Sequence, residues 1–495
     1  MQVQLSTSKI DDYRKFLAIK GLPSYRFRGS IAHVPDQYAK MIGVTIAKPK
    51  RRAYKPSPFL FDYQRDIAAM AIDRQKFSMF ADCGLGKTII YAEYIKHVDK
   101  VLPKGQQILL ISPLMVIPQT LSEFDRWYGD ALNVEQVKGS KLQEWFSTGG
   151  RIGITNYEAM NDIGDAPRLG CIVVDESSML KSHYGKWGTS ILRLGRGLDW
   201  KLAGTGTPAP NDRIEYANHA VFMDAFPNVN SFLAKFFVNR GQTSERWTLK
   251  NHAVEPFYLS LSHWSIFLCN PATYGWKDNV STVPPIRVHI DDVPMTKAQR
   301  NAAQELTGDL VVSQVGGIGT RSKLGQIAKG KYRGKAISTK KPEFIRSLVD
   351  SWPGESTIIW CLYNDEQDSI AKVFPHAANI SGSTPYSERQ KLIDEFKAGS
   401  RRVLITKPKI LGFGLNLQIA TRQIFSGLQD SYESFYQAVK RSNRVGSTKP
   451  LDVHIPVTEI ERPMVENVLR KAHLIQKDTE EQDRIFHERT AKLGN

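Results

Sequence analysis

Short apolar runs separated by polar, glycine-containing segments recur along the chain and predict an α/β fold. The run at residues 77–81 is followed by a glycine-bearing turn and an amphipathic stretch over 89–97, which is the order strand, loop, helix. Further buried strands are predicted at residues 107–112, 151–156 and 171–174, and another begins at residue 202. Because strands that alternate with helices form parallel sheets, this part of the chain predicts one α/β domain.

A second α/β region follows, with strands predicted at residues 357–363, 402–406 and 423–425 and an amphipathic helix at 389–396. Residues 1–57 predict a small basic α+β module with a helix over 10–19, a strand over 25–34 and a Pro-rich linker from 48. The expected regions are this module, a first lobe at 58–290 with added helices, a basic crossover at 291–340, and a second lobe with a C-terminal helix at 341–495.

The composition, 41% hydrophobic and 24% charged residues, is that of a globular protein with ample core. No signal peptide is evident, and the most apolar run, residues 108–117, is too short to span a bilayer. Four widely separated cysteines predict reduced thiols and neither a zinc site nor disulfides. We therefore expect a cytoplasmic protein without a membrane partner.

The net charge of +17 is concentrated in two segments. Residues 1–58 contain twelve Lys or Arg and three Asp, and residues 321–341 contain eight Lys or Arg and no acid, so these segments carry the whole excess. Such a concentration is typical of a nucleic-acid partner, although solvated basic loops are the alternative. In the module, Arg26 and Arg28 alternate with Tyr25 and Phe27, so cations could hold phosphates while rings stack on bases. The rings could equally be the core of the module.

The segment from Ala81 to Ile89 carries a specific chemical signal. Its backbone N–H groups and the following helix N-terminus can cradle a polyphosphate, while Lys87 would reach the β/γ-phosphates and Thr88 would ligate Mg²⁺. Ala81 replaces the first glycine of the usual spacing, which still allows a tight turn, and an ordinary strand–helix turn is the alternative. The residues expected to bind the nucleotide here are Cys83, Gly84, Leu85, Gly86, Lys87, Thr88 and Ile89.

Two acidic residues follow the predicted strand at 171–174. Asp175 would hold Mg²⁺, and Glu176 would orient and deprotonate the attacking water, because open parallel sheets keep their chemistry at the carboxyl ends of strands. Surface decoration is the alternative. Upstream, Gln64 beside Tyr63 could bond to an adenine edge or be an ordinary surface glutamine, and the hydroxyl-rich turn within 202–211 is a candidate sensor loop.

In the second lobe, Gln437, Arg441 and Arg444 have the spacing i, i+4, i+7, which predicts one face of a helix. Two guanidinium groups on that face would stabilise the γ-phosphate in the transition state. A basic helix that contacts DNA or water is the alternative.

In order and spacing, these motifs resemble the superfamily 2 helicases, and within them the Swi/Snf-like DNA-dependent ATPases. The resemblance runs from about residue 59 to about residue 457, and the compact form looks most like the bacteriophage-encoded members. It is carried by Tyr63-Gln64, residues 81–88, Ser112-Pro113-Leu114, Thr155-Asn156-Tyr157, Val174-Asp175-Glu176, residues 205–208, Ser381-Gly382, Gly414-Leu415-Asn416 and residues 437–446.

The resemblance implies two tandem RecA-like domains with parallel sheets, with ATP and Mg²⁺ between them and nucleic acid across their top. It assigns nucleotide contacts to Gly414 and Asn416 as well, and nucleic-acid backbone contacts to Ser112, Pro113, Thr155, Asn156, Gly382 and Thr406. Ser178 departs from the family, which usually has His there, and the basic stretch expected near residues 266–270 is absent.

The leading hypothesis is an ATP-dependent translocase or helicase that acts on double-stranded or forked DNA in replication or recombination. An RNA helicase, a nucleic-acid scaffold regulated by ATP, and a motor that displaces bound proteins are the alternatives. The sequence leaves protein partners unknown.

Overall fold

The chain folds into two compact units in the computed structural model, residues 1–278 with 477–495 and residues 279–476. No helix among the residues that the structure describes has the length and apolar character needed to cross a membrane. The described residues are 1–22, 25–44, 53–161, 163–180, 185–241, 247–277, 283–308, 318–411, 416–428, 432–444 and 446–493.

The N-terminal module is a three-stranded antiparallel sheet with one helix and a 3-10 helix. The predicted helix is confirmed, but the predicted single strand over 25–34 is a hairpin, because the chain reverses at Gly29, whose φ is +58°. The strand order is β1-β3-β2. The elements are β1 (Gln2–Gln4), α1 (Ile10–Lys20), β2 (Arg26–Arg28), β3 (Ile31–His33) and the 3-10 helix Asp36–Ile42.

The module packs directly on the rest of the first unit. The buried ring of Tyr38 meets the ring of His263 edge-on, with 5.1 Å between centroids. Lys235 Nζ donates a hydrogen bond to the carbonyl oxygen of Leu22 at 3.3 Å. A buried aromatic pair and a polar contact therefore hold the module and the first lobe in one unit.

The first lobe is built on a parallel sheet of seven strands, in the order β12-β4-β9-β8-β5-β7-β6. Its elements are α2 (Asp62–Arg74), β4 (Lys76–Ala81), α3 (Lys87–Val101), β5 (Gln107–Ile111), α4 (Ile117–Tyr128), β6 (Glu135–Gln136), α5 (Leu142–Thr148), β7 (Ile152–Thr155), β8 (Leu169–Asp175), α6 (Lys186–Leu194), β9 (Trp200–Gly204), α7 (Tyr216–Phe222), α8 (Val229–Phe236), β10 (Phe237–Asn239), β11 (Trp247–Leu249), α9 (Val254–Trp264) and β12 (Ser265–Leu268).

The predicted strands of this lobe lie in the centre of its sheet. Every residue of β5 and β8 is buried, as expected for strands covered on both faces. The register places Met79 of β4 and Asp175 of β8 level with Gly204 of β9, the strand between them. The chain segments that follow these three residues therefore leave the sheet at one edge.

The second unit contains a parallel sheet of six strands, in the order β13-β20-β19-β16-β18-β17. Its elements are β13 (Ile286–Asp292), α10 (Lys297–Thr307), α11 (Ile318–Ala328), β14 (Lys331–Tyr332), β15 (Lys335–Ala336), α12 (Lys341–Asp350), β16 (Ser356–Trp360), α13 (Asn364–Val373), β17 (Ala378–Asn379), α14 (Tyr386–Lys397), β18 (Val403–Thr406), α15 (Pro408–Leu411), β19 (Ala420–Phe425), α16 (Tyr432–Val439), β20 (Leu451–Val457) and α17 (Arg462–Leu493), whose residues from Lys477 belong to the first unit.

Two parallel α/β sheets in tandem confirm the predicted fold class. Strand β13 begins within the stretch predicted as the end of the first lobe, but it pairs in parallel with β20 and belongs to the second unit. The basic region 291–340 contributes helices α10 and α11 to the second unit.

The second basic segment, residues 321–341, is partly neutralised inside the fold. Lys329 and Lys341 are both buried, and their ammonium groups contact the two carboxylate oxygens of Glu461, Lys341 at 2.6 Å. Lys331 pairs with Asp365. Arg333 pairs with Glu305 in the same way. At least four of the eight Lys and Arg residues in this segment therefore have acidic partners from elsewhere in the chain.

We predict that Glu461→Gln lowers the free energy of unfolding by about 3–5 kcal/mol at pH 7, because it leaves two buried ammonium groups without their carboxylate. Burial would raise the pKa of Glu461, but Lys329 and Lys341 outweigh it and lower the pKa to about 2. The contribution is therefore complete above the ordinary pKa near 4.5 and is lost as the pH falls towards 2. Chemical denaturation across this pH range measures both effects.

The exposed neighbour Glu459 provides the control, since Glu459→Gln makes the same chemical change without buried partners. Equal destabilisation by the two variants would contradict the role of the buried triad. A loss that stays constant from pH 7 to pH 2 would contradict it too.

Candidate active site

The loop after β4 has the geometry of a phosphate cradle. Gly84 and Gly86 adopt left-handed backbone conformations, with φ of +88° and +70°. Lys87 begins helix α3, and its Nζ donates to the main-chain carbonyl of Ala81 at 3.0 Å. The Lys87 side chain therefore folds back over its own loop, where backbone N–H groups and the helix N-terminus favour an anion.

Tyr63 and Gln64 of α2 lie against this loop. The Tyr63 hydroxyl donates to the carbonyl oxygen of Leu85 at 3.1 Å, and Gln64 Nε2 donates to the same oxygen at 3.5 Å. A Cβ atom at Gly86 would lie 2.2 Å from Gln64 Nε2, and the φ of +70° also favours glycine here, so a larger residue would strain the loop and displace this amide. The structure thus brings Tyr63 and Gln64 to the phosphate loop, as the sequence predicts for nucleotide-contacting residues.

The acidic pair lies at the end of β8 and is held by its neighbours. Ser112 Oγ donates to Asp175 Oδ2 at 2.9 Å. The Tyr157 hydroxyl donates to the main-chain carbonyls of Asp175 and Glu176 at 2.5 and 3.1 Å. Glu176 itself has a φ of +50°, an uncommon backbone conformation for a residue with a side chain. Such strain is typical of functional positions, where surrounding contacts fix it.

The turn after β9 links the phosphate loop to the acidic pair. Thr205 Oγ1 donates to Glu176 Oε2 at 3.2 Å. A Cβ atom at Gly206 would lie 3.4 Å from the carbonyl oxygen of Ala81, which is ordinary van der Waals contact, so the turn lies beside the phosphate loop. Thr205 is therefore a candidate functional residue that the sequence places in a sensor loop without identifying its contact.

The electrostatics of these groups are coupled. Burial favours the neutral form of Lys87, but Cys83 and three carboxyl groups outweigh it and raise the pKa of its ammonium group. Those carboxyl groups belong to Glu176, Asp175 and Asp82. Burial raises the pKa of Asp175, while Lys87 and hydrogen bonds to the carboxylate oppose that rise. A buried ammonium group and two carboxyl groups thus surround the position where phosphates and a metal ion would bring further charge.

Ser178, which departs from the resembled family, makes only a long contact, from its Oγ to the Glu176 carbonyl at 3.5 Å. A histidine reaches this region from α7, where His219 Nε2 lies 2.9 Å from Ser177 Oγ. Burial lowers the pKa of His219 to about 4, so the ring is neutral at pH 7. His219 could not be predicted as a neighbour of the acidic pair, because it lies 42 residues after Ser177 in the chain.

Three of the residues to which the resemblance assigns nucleic-acid contacts have side chains inside the fold. Ser112, Thr155 and Thr406 are all fully buried. Ser112 Oγ donates to Asp175, and Thr155 Oγ1 donates to the Val137 carbonyl at 2.8 Å. The hydroxyl groups of Ser112 and Thr155 therefore bond within the first lobe, and the predicted nucleic-acid contacts of these residues stay a prediction. The other predicted contacts, Arg26, Arg28, Pro113, Asn156 and Gly382, are exposed or partly exposed.

The prediction that Gln437, Arg441 and Arg444 lie on one face of a helix is wrong. Helix α16 ends at Val439, so Gln437 is helical, whereas Arg441 and Arg444 lie in the turns that follow. The helix ends there because Gln423 Nε2 of β19 donates to its last carbonyls and to Ser442 Oγ, the latter at 2.7 Å.

The segment that begins at Asn416 nevertheless lies beside the turns that contain Arg441 and Arg444. Leu417 N donates to the Arg441 carbonyl at 3.0 Å, and Gln418 Nε2 donates to the Arg444 carbonyl at 3.4 Å. Asn416 is exposed beside them, and Gly414 lies outside the described residues. The segment at 416–418 and the arginine turns therefore form one surface of this unit.

The donor set fits a nucleoside triphosphate and a magnesium ion. No cluster of three or more metal-ligating residues occurs among the described residues. Mg²⁺ needs no such cluster, because it usually keeps several waters and binds one or two carboxylates plus substrate phosphates. Thr88 and Asp175 would hold it, and the cradle around Lys87 would hold the phosphates.

Two tandem parallel sheets, one of which carries a phosphate loop and an acidic pair at a shared edge, define a P-loop nucleoside triphosphatase of the helicase type. Residues 63–341 match the SNF2-related domain, and residues 340–446 match the helicase conserved C-terminal domain. The chain belongs to the SNF2-related family, and this membership identifies it as a nucleic-acid-dependent ATPase.

Individual relatives are distant. The ATP-dependent DNA helicase DDM1 of Arabidopsis thaliana is 23% identical over 460 residues, which is 79% of this chain and 57% of that protein. The SWI/SNF-related matrix-associated actin-dependent regulator of chromatin subfamily A-like protein 1 of Drosophila melanogaster is 22% identical over 440 residues, 84% of this chain and 56% of that protein. The chain thus spans little more than half the length of these relatives.

Among solved structures, the Sulfolobus solfataricus SWI2/SNF2 ATPase core in complex with dsDNA is similar. It is 18% identical, the match covers 91% of this chain and 98% of that one, and the TM-score is 0.39.

We predict that Thr205→Val lowers kcat for ATP hydrolysis about tenfold to a hundredfold, because Glu176 loses the hydroxyl group that orients its carboxylate. KM for ATP should change little, since Thr205 bonds to Glu176 and not to the phosphate loop. Steady-state kinetics with saturating nucleic acid measure the two constants. Thr148→Val on the exposed helix α5 is the matched control, and an equal kcat in all three proteins would contradict the positioning role.

Proposed function

We propose that this protein is an ATP-driven motor that translocates on double-stranded or forked DNA and remodels replication or recombination intermediates. The observation that carries the proposal is the meeting of the phosphate loop, the Thr205 turn and the Asp175–Glu176 pair at one sheet edge. Support for DNA as the track comes from a relative that is named an ATP-dependent DNA helicase.

The residues of this site have distinct roles in hydrolysis. Lys87 and the loop around it would bind the β- and γ-phosphates, with Tyr63 and Gln64 on the adenine side. Glu176, oriented by Thr205, would accept a proton from the attacking water. Thr88 and Asp175 would hold Mg²⁺, which when bound would neutralise part of the charge on the phosphates.

Arg441 and Arg444 remain proposed contacts of the γ-phosphate. Their guanidinium groups suit that role chemically, since a fork of N–H donors matches a phosphate and keeps its charge at any physiological pH. Asn416 and Gly414 are proposed nucleotide contacts of the same unit, and the likeness to bacteriophage-encoded members stays a prediction.

We predict that Glu176→Gln abolishes turnover, with at least a hundredfold fall in the rate of ATP hydrolysis, and leaves DNA affinity within about twofold. The amide keeps the size of the side chain but cannot accept the proton. Rates of ATP hydrolysis and fluorescence anisotropy with labelled duplex DNA measure the two properties. Glu144→Gln on the exposed surface of α5 is the matched control. Substantial ATP hydrolysis by Glu176→Gln would overturn the catalytic assignment.

Translocation is tested by displacement of a third strand from a DNA triplex. The wild-type protein should release the triplex-forming strand only with ATP, and Glu176→Gln should not release it. ATP hydrolysis stimulated by duplex DNA without strand release would contradict translocation and favour a nucleic-acid scaffold regulated by ATP.

A further inference from the structure

A cleft of about 1760 Å³ lies between the N-terminal module and the first lobe. We call it the module cleft. Residues 25–35 of the module line one side, and residues of α6, α7, α8 and the loop before α8 line the other. Both sides belong to the first unit, so the cleft is a feature of one compact body.

The module side of the cleft carries two arginines on an edge strand. Arg26 and Arg28 are two residues apart on β2, and both are exposed, whereas Phe27 between them packs into the module core. Alternation along the strand explains this arrangement, because successive side chains point to opposite faces. Neither guanidinium group has a side-chain partner among the described residues, so both are available to a ligand.

The lobe side also carries cations. Arg193 and Arg196 are exposed at the end of α6, and Lys235 lies on α8. Arg193 is committed to the fold, since it contacts Asp165 at 3.3 Å and the nearby main chain. Arg196 has no side-chain partner within the described part of the chain. Three exposed arginines are therefore available to bind a ligand from the two sides of the cleft, namely Arg26, Arg28 and Arg196.

Within the described lining, Asp224 is the single carboxylate, and it is already neutralised. Its Oδ2 atom lies 2.9 Å from Lys76 Nζ and 2.9 Å from Lys201 Nζ. Five Lys and Arg side chains of the lining thus face no available acidic group there, which gives the module cleft a strongly positive potential.

One cation of the module cleft, Arg196, lies at the opposite end of the strands from the nucleotide site. Helix α6 runs back from the end of β8 to the start of β9, so Arg196 lies at the amino ends of the strands, four residues before Trp200. The phosphate loop and the acidic pair lie at the carboxyl ends of β4 and β8. A ligand in the cleft would therefore not occupy the nucleotide site.

We propose that the module cleft is a separate binding site for a single strand of nucleic acid. Arginines on both sides, Arg26 and Arg28 of the module and Arg196 of the lobe, would hold successive phosphates of the strand. A flexible strand can follow such a recess, whereas a duplex is stiff over about 150 base pairs and keeps its phosphates on a convex surface. This site goes beyond the proposed motor, because it would hold a strand away from the ATPase centre.

The test uses the full chain and a triple variant in which three arginines are replaced, Arg26→Ala, Arg28→Ala and Arg196→Ala. The affinity of each protein is measured without nucleotide, for a labelled 20-nucleotide oligo-dT and for a duplex of equal length. The variant should lose about tenfold or more in single-strand affinity at 0.1 M salt. The slope of log affinity against log salt should fall by about 2, because each single-strand phosphate contact contributes about 0.7. Duplex affinity should fall far less.

Two further variants keep the test decisive. The control is a triple variant that removes the same charge from exposed helix positions of the second unit, Lys372→Ala, Lys391→Ala and Lys397→Ala. It should leave single-strand affinity nearly unchanged. Replacement of the three arginines by lysine should restore the salt slope. An equal loss in the lysine-to-alanine control, or no loss in the arginine variant, would overturn the site.

Photo-crosslinking locates the strand on the wild-type protein. Ultraviolet crosslinks to oligo-dT should map to peptides around residues 25–35 and 189–196. Crosslinks confined to the second unit would overturn the proposal.

Displacement of oligo-dT by polyglutamate, but not by unlabelled single-stranded DNA, would assign the cleft to an acidic peptide instead. Triplex displacement by the arginine variant reports on the motor separately, so failure of this site and failure of the motor are distinguishable.

Discussion

The candidate active site depends on the register of three neighbouring parallel strands. Because Met79, Gly204 and Asp175 lie level, the phosphate loop, the Thr205 turn and the acidic pair all begin at one edge of the sheet. The close fit of this edge requires glycine, since a Cβ atom at Gly204 would lie 2.0 Å from the hydroxyl oxygen of Tyr91. A slip of one residue in any of these strands would turn its buried side chains to the opposite face and separate the three segments.

Polar groups at this edge are mainly committed to holding the site. The hydroxyl groups of Ser112, Tyr157 and Thr205 each donate to the acidic pair, to either its carboxylates or its carbonyls. These bonds offset part of the cost of burying the carboxylates, whose electrostatic effect is strong because little water surrounds them. The donors are therefore in place before a nucleotide binds, which is the condition for efficient electrostatic catalysis.

The sequence allowed the fold class, the central strands and the phosphate loop to be predicted, because each depends on residues close together in the chain. The errors arose where a distant residue decides the structure. Gln423 of β19 ends helix α16 before Arg441, and Glu461 neutralises Lys329 from 132 residues away. The hydrogen bond from Ser112 to Asp175 was not predicted either, because Asp175 lies on a different strand. The module cleft could not be predicted, since it forms only where two separately folded segments pack together.

The proposed double-strand motor is tested most directly by steady-state ATP hydrolysis by the full chain with matched single-stranded, duplex and forked DNA and with RNA. We expect strong stimulation of hydrolysis by duplex or forked DNA and little by RNA, because a motor of this kind tracks along double-stranded DNA. Stimulation by RNA alone would identify an RNA helicase, and stimulation confined to single-stranded DNA would indicate a conventional unwinding helicase. Either of these results would contradict the proposed double-strand motor.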